Sequence, residues 1–182
     1  LHLCDHNLEN ISDFDHINND TLLTDVCLAA KFEGESLTRY HEGYQQKYPH
    51  SHYEICTELA RSFADIGDIV RGRDLYRGDK EGKKKLEKNL KTIFKKIYDK
   101  LDDTDVQKHY NDDKDGNYYK LREDWWDANR ATIWEAITCG HPGGKYFRKT
   151  CGKNDGWTGE NCRCAANIDP PTYFDYVPQY LR

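Results

Sequence analysis

Residues 59–72 read LARSFADIGDIVRG, and this stretch decides the fold because its apolar side chains recur at helical spacing. The face that they form consists of Leu59, Phe63, Ile66 and Val70. We expect the helix to begin near Ser51 or His52 and to end at about Gly72. Gly67 interrupts it, which predicts the close approach of a second helix, since glycine has no side chain to hold a neighbour away.

The same periodicity predicts three further helices on either side of this one. They run from about Thr21 to Tyr48, from about Gly82 to Leu101 and from about Tyr118 to Thr138. Asn19 or Asp20 is the expected N-cap of the first of them. A short turn at 48–50 makes that helix an antiparallel neighbour of the glycine-containing one. No segment alternates with a period of two, so the sequence predicts a mainly α fold.

Two long connections separate these helices. Residues 102–117 are predicted to be a polar loop rich in Asp and Asn. Residues 139–172 are predicted to be irregular, and they contain four of the seven cysteines. An irregular stretch of that length is unusual inside a compact domain unless disulfides staple it.

The composition excludes several classes of protein. Hydrophobic residues make up 37% and the mean hydropathy is -0.99, but 13 Tyr, 6 Phe and 4 Trp argue against disorder. No apolar run of about 18 residues exists, so no membrane insertion by this chain is expected. The first residues lack the pattern of a signal peptide and methionine is absent, so we expect a fragment of a longer chain, with any membrane anchor or targeting signal outside it.

The cysteines favour an oxidising compartment, where disulfides persist. They stand at positions 4, 27, 56, 139, 151, 162 and 164. Their number is odd, so at least one thiol is expected to be free or to pair outside this chain, and Cys4 is the candidate. A zinc site is the alternative, with the ligand set Cys139, His141, Cys151, Cys162 and Cys164. Zinc sites usually use CxxC pairs, and the single residue between Cys162 and Cys164 disfavours one here. No metal is therefore predicted.

Charge is segregated along the chain, although the formal net charge is only -5. Residues 1–35 hold eight acids against one lysine, whereas residues 79–100 hold nine lysines against four acids. The helix predicted over 82–101 has an apolar stripe of Leu86, Leu90, Ile93, Ile97 and Leu101. Nearly opposite lies a basic stripe, which we call the lysine stripe, of Lys84, Lys88, Lys91 and Lys95.

A row of ammonium groups attracts a linear polyanion, and we therefore predict a sulfated-glycan site on the lysine stripe. The alternative is that these lysines only solvate an exposed helix face. In that case any glycan site lies elsewhere, with Lys145, Arg148 and Lys149 as the next candidates.

No motif of an enzyme is present. GxSxG, HExxH, P-loop and GxGxxG sequences are all missing, so we predict neither catalysis nor a cofactor. Four carboxylates three or four residues apart on helices (Asp65, Asp68, Glu123 and Asp127) are expected to pair with Arg61, Arg71, Arg122 or Arg130. Trp125 and Trp126 are expected to pack in the core in preference to forming a ligand platform.

Several stretches resemble the Duffy-binding-like domains that build the erythrocyte membrane protein 1 variant antigens of the malaria parasite. The block at 59–72 is similar to one family motif, and LREDWW at 121–126, continuing to Ala136, is similar to a second. DYVPQYLR at 175–182 resembles a third, in the form seen in the alpha class. Leu3–Leu8 and Val26–Lys31 also match family segments, whereas residues 73–117 and 140–165 look like hypervariable stretches.

This resemblance implies an adhesion module on the extracellular face of the infected red cell. Its implied partner is a receptor on host red cells or endothelium, with heparan sulfate and blood-group glycans as candidate ligands and no nucleic acid. Alpha-class domains are associated with rosetting. The alternative function is an antigenically variable scaffold, with binding carried by a neighbouring domain.

The resemblance also implies a three-subdomain fold. Residues 1–20 would be the end of an irregular first subdomain and residues 21–182 a disulfide-stapled helix bundle, the second subdomain. The third subdomain would be absent from this fragment. A bridge that closes the bundle in the family implies that Cys56 pairs with Cys162 or Cys164.

Overall fold

The computed structural model describes residues 4, 6–49, 54–74, 80–111, 115–140, 144–165 and 169–182, without the side chains of His6 and Lys80. These ranges contain the α-helices α1 (His6–Glu9), α2 (Asn19–Lys47), α3 (Ile55–Arg71), α4 (Lys80–Asp99), α5 (Thr104–His109) and α6 (Tyr119–Ile137). Two 3₁₀ turns follow, at Phe174–Tyr176 and Gln179–Leu181. The described ranges contain isolated β-bridges and no strand, so the predicted mainly α fold is confirmed. None of their helices is both long and apolar enough to cross a membrane.

The four predicted long helices are present, with corrections at their ends. α2 is capped by Asn18, not by Asn19 or Asp20, because the Asn18 side chain accepts from the backbone N–H groups of Asp20 and Thr21. The predicted polar loop at 102–117 contains the short helix α5, whose first turn is capped by Asp103. The start predicted at Ser51 or His52 lies outside the described residues, within which α3 begins at Ile55.

The core forms where α2, α3 and α6 pack against one another. α6 is buried on more than one side, as expected of a central helix. Its residues in the hydrophobic core are Leu121, Trp125, Trp126, Ile133, Trp134 and Ile137. The prediction that both adjacent tryptophans pack in the core is therefore confirmed.

Gly67 lies at a close contact between α3 and α6, as the sequence predicted. A Cβ built at Gly67 would lie 2.8 Å from the Trp126 ring, so any larger residue would displace the indole. The Trp126 ring also packs on Phe63 at a centroid distance of 5.1 Å. A second glycine contact, which the sequence did not reveal, joins α2 to α6, where a Cβ at Gly34 would overlap the carbonyl oxygen of Ile137.

A buried ionic network ties the C-terminal segment to these helices. Asp175 is 1% exposed and accepts from Arg130 Nε at 2.7 Å and from Trp126 Nε1 at 2.8 Å. Arg71, which is fully buried, donates to the carbonyl oxygen of Asp175 and to that of Gly67. A buried carboxylate is tolerated only when it is paired in this way.

The predicted pairing of carboxylates with arginines is correct for Arg71 and wrong for the other three arginines. Arg71 lies 3.3 Å from Asp68 and 3.6 Å from Glu123. The remaining pairs are Arg61 with Glu58, Arg122 with Glu87, and Arg130 with Asp175. For Arg122 and Arg130 tertiary packing explains the difference, because they reach partners on other elements that helical spacing cannot indicate; Arg61 pairs within α3, with a different acid.

Two disulfides staple the irregular stretch between α6 and the C-terminal turns. Of the two partners left open for Cys56, the structure has Cys162, with a Cα–Cα distance of 5.5 Å, and the other bridge joins Cys151 to Cys164. Three of the four cysteines of the zinc alternative are therefore in disulfides, and His141 lies outside the described residues. We call residues 144–165, which contain three of these half-cystines, the stapled loop.

The N-terminal residues join the same core as the helix bundle. Leu8 and Ile17 are 2% and 5% exposed and belong to the hydrophobic cluster formed by α2, α3, α4 and α6. The subdomain boundary after residue 20 remains a prediction.

Replacement of Gly67 by Ala tests the contact between α3 and α6. The added methyl group meets the Trp126 ring, so we expect Gly67→Ala to lower the free energy of unfolding by about 1–3 kcal/mol. Gly43→Ala in α2 is the matched control, because a Cβ there meets nothing within 4 Å. That change should stabilise the protein by about 0.4–1 kcal/mol. Urea unfolding measures both, and equal effects would contradict the proposed packing.

The disulfide pairing is tested by mass spectrometry of an unreduced digest, which should yield peptides linked 56–162 and 151–164. The Cys56–Cys162 bridge spans 106 residues. The chain-entropy model assigns a loop of that size about 4–5 kcal/mol, so the double variant Cys56→Ser, Cys162→Ser should unfold at a much lower urea concentration. A Cys56–Cys164 peptide, or an unchanged urea midpoint, would contradict this assignment.

Candidate functional site

The apolar face of α4 fixes how this helix presents its lysines. Leu86, Leu90, Ile93 and Phe94 are at most 4% exposed and lie in the core. Phe94 was missing from the predicted apolar stripe, although it packs edge-on against Trp125 at 6.0 Å. Leu101 lies beyond the end of α4 at Asp99 and is only partly buried. The remaining predicted residue, Ile97, is partly buried against the same core.

One flank of α4 is fastened to the N-terminal segment by side-chain hydrogen bonds. Asn89 donates to the carbonyl oxygens of Leu8 and Glu9. Lys96 Nζ donates to the carbonyl oxygen of Phe14 at 2.6 Å, and Lys100 Nζ donates to that of Ile17 at 3.1 Å. The ammonium groups of these two lysines are therefore hydrogen-bonded within the protein.

The other flank of α4 is fastened to α6 and to the end of α3. Glu87 accepts from both terminal nitrogens of the buried Arg122, at 2.8 and 3.0 Å. Arg122 Nε in turn donates to the carbonyl oxygen of Val70. Lys83 pairs with Asp74 at 2.7 Å. With both flanks engaged, the rotation of α4 about its axis is fixed.

The lysine stripe occupies the remaining, outward face of α4. Lys84, Lys88 and Lys95 are exposed and Lys91 is partly exposed. Their positions at i, i+4, i+7 and i+11 place them along about 16 Å of helix, at 1.5 Å per residue. The structure thus brings the four predicted lysines onto one face, opposite the core.

The stripe is mostly unneutralised. No ion pair joins Lys84, Lys88 or Lys91 to any residue in the described ranges. Lys95 donates to Asp99 Oδ2 at 2.6 Å, and this hydrogen bond raises the pKa of the Lys95 ammonium group. Lys95 therefore stays charged, but Asp99 weakens the field at the C-terminal end of the stripe.

A second basic surface lies on the stapled loop, where the sequence named Lys145, Arg148 and Lys149 as alternatives. All three are exposed. The Arg148 guanidinium lies 5.2 Å from the centre of the Phe147 ring, and the Lys149 ammonium lies 5.5 Å from that of Trp157. The pairing of Lys149 with Trp157 could not be predicted from the sequence, because the two residues are eight positions apart in an irregular loop.

Comparison with known proteins places the chain in a family. A family model described as the Duffy binding domain matches residues 1–182. A search of curated proteins found no match.

Several solved structures are similar to this chain. The NTS-DBL1(alpha-1) domain of the Plasmodium falciparum membrane protein 1 (PfEMP1) from the varO strain is 43% identical with a TM-score of 0.76; the match covers 99% of this chain and 40% of that chain. The NTS-DBL1-alpha and CIDR-gamma double domain of the same strain gives the same identity and TM-score, over 99% of this chain and 25% of that one. The ICAM-1-binding DBLbeta domain of PfEMP1 IT4var13 is 33% identical with a TM-score of 0.68, over 100% of this chain and 39% of that one.

The chain spans about two fifths of the length of these single-domain structures. Nevertheless, the family model matches every residue of the chain. The helical fold of the chain and its identities of 33–43% to the solved domains agree with that match. The chain therefore belongs to the Duffy binding domain family.

Proposed function

We propose that this chain is part of a host-receptor-binding adhesion module of the alpha class, and that it contacts a sulfated glycan or a glycosylated receptor through the lysine stripe. The class is supported by the higher identity to the NTS-DBL1(alpha-1) domain, 43%, than to the DBLbeta domain, 33%. A receptor-binding role is supported by the related DBLbeta domain whose structure was solved bound to ICAM-1. The proposed location is the outer surface of the infected red cell, within a larger membrane-anchored protein.

The observation that carries the glycan proposal is the division of the α4 lysines into two sets. Lys83, Lys85 and Lys96 on α4, together with Lys100 just after it, are engaged by the protein's own oxygen atoms. The lysine stripe points away from all of these contacts, and three of its members have no ion pair with a described residue. Cations that the fold does not use are available to an external anion.

Electrostatics favours an extended, highly charged ligand. The chain as a whole is acidic, with a net charge of -5, so a polyanion is attracted only by a locally basic face. Residues at i and i+4 on a helix lie about 5–6 Å apart, so a linear sulfated chain can meet several ammonium groups in succession. Such exposed contacts are screened by salt, with a Debye length of about 8 Å at physiological ionic strength.

An antigenically variable scaffold is the second candidate function. It is favoured by the position of the lysine stripe within residues 73–117, the segment that looks like a hypervariable stretch of the family. Under this alternative the lysines only solvate α4, and a neighbouring domain binds the receptor.

Charge reversal of the lysine stripe separates the two functions. The variant in which Lys84, Lys88, Lys91 and Lys95 are all replaced by Glu should elute from a heparin column at a much lower salt concentration than the original chain. Helicity and melting temperature should change little, because exposed charges contribute within about 0.5 kcal/mol each.

The matched control reverses four exposed lysines outside α4: Lys31, Lys47, Lys108 and Lys120. Both variants have the same net charge, so any difference in elution reports the position of the charges. We expect the control to elute clearly later than the stripe variant. Equal elution of the two variants would contradict the glycan proposal and favour the scaffold.

A further inference from the structure

The stapled loop exposes a large aromatic side chain that the fold does not use. Three of the four tryptophans, Trp125, Trp126 and Trp134, are 5%, 0% and 3% exposed, whereas Trp157 is 53% exposed. Phe147 on the same loop is 38% exposed. The centre of its ring lies 4.7 Å from that of the buried Tyr146, so the exposed phenylalanine packs against a residue of the core.

The charge of this loop is opposite to that of the whole chain. Within residues 144–165 there are five cations against Asp155 and Glu160. Arg163 is directed inward, where it donates to Thr138 and to the carbonyl oxygen of Glu135. No ion pair joins Lys145, Arg148 or Lys149 to an acid of the described residues. Arg148 and Lys149 therefore lie beside exposed aromatic rings, and no described acid neutralises them.

Covalent and polar contacts hold the rings in place before any ligand arrives. The Cys151–Cys164 bridge closes the loop on itself, and Cys162 anchors it to α3 through Cys56. The backbone N–H of Tyr146 donates to the hydroxyl of Thr158, the residue after Trp157, at 2.9 Å. A surface that is ordered in advance loses less conformational entropy on binding.

From these observations we propose that the stapled loop is a second binding surface, separate from the lysine stripe, for an anionic saccharide. The apolar C–H face of a sugar ring packs on Trp157, and Arg148 and Lys149 meet its sulfate or carboxylate groups. This inference takes from the proposed function only the class of ligand, a sulfated glycan, and does not depend on the lysine stripe.

The chemistry of the loop favours a saccharide over other polyanions. An aromatic ring has a negative face that attracts the slightly positive C–H bonds of a pyranose. The Arg148 guanidinium presents paired N–H donors that suit a sulfate or carboxylate. The flexible stem of Lys149 lets its ammonium leave the ring face for an anionic substituent. The lysine stripe carries no aromatic residue, so it does not distinguish a glycan from an inorganic polyanion.

Tryptophan fluorescence tests this proposal directly, because the other three tryptophans are buried. Acrylamide, a neutral quencher, should act mainly on Trp157 in the 182-residue chain. We expect a saturating heparin hexasaccharide to reduce acrylamide quenching severalfold, and inorganic polyphosphate at equal charge to leave it nearly unchanged. Unaltered quenching with the hexasaccharide would overturn the proposal, and equal protection by polyphosphate would overturn the choice of a saccharide.

In the stripe variant, where the lysine stripe no longer contributes, the change Trp157→Ala should weaken binding of the hexasaccharide about threefold to tenfold, the loss typical of one aromatic contact. Tyr40→Ala is the matched control, since Tyr40 is 63% exposed on α2 and lies outside both surfaces. Circular dichroism should show both variants folded. Equal affinities of the two variants would count against a role for Trp157.

The two proposals fail independently in these experiments. If the stripe variant elutes from the heparin column together with the matched control, and Trp157 is protected in the original chain, the lysine stripe is wrong and the stapled loop stands. If the stripe variant elutes clearly earlier than the control, and Trp157 is never protected in the original chain, the loop is wrong and the lysine stripe stands. Absence of heparin binding by the original chain would overturn both.

Discussion

The packing of the Trp126 indole into the gap at Gly67 is the contact on which the rest of the structure depends. It sets the distance between α3 and α6, since any side chain at residue 67 would meet the ring at 2.8 Å. The same indole donates its N–H to Asp175, which also receives Arg130. Trp126 therefore joins the apolar core to the ionic network that holds the C-terminal segment.

The burial of that network explains why it is built from arginine and not from lysine. Arg71 and Arg130 each satisfy several acceptors from a rigid, planar group, including backbone carbonyl oxygens as well as carboxylates. Removing Asp175 would leave a buried cation without its partner, a loss that typically costs about 3–5 kcal/mol. The lysines, by contrast, lie near the surface, where the loss of a single pair costs little.

The orientation of α4 connects stability to the proposed function. Its apolar face enters the core, one flank binds the N-terminal carbonyl groups, and the other flank binds Arg122. These contacts leave one face of the helix free, and that face contains the lysine stripe. The stapled loop follows a related principle, because disulfides and a buried tyrosine fix its backbone while Trp157 and its neighbouring cations remain exposed.

The sequence by itself determined the four long helices, the close contact at Gly67 and the division of α4 into an apolar and a basic stripe. All of these depend on residues within one helix, where a spacing of 3.6 residues per turn relates sequence to position. Tertiary structure decided which cation meets which anion: Arg122 pairs with Glu87 and Arg130 with Asp175, across 35 and 45 residues. It alone also gave Cys56 its partner and placed Lys149 beside Trp157, because an irregular chain has no period from which such neighbours can be predicted.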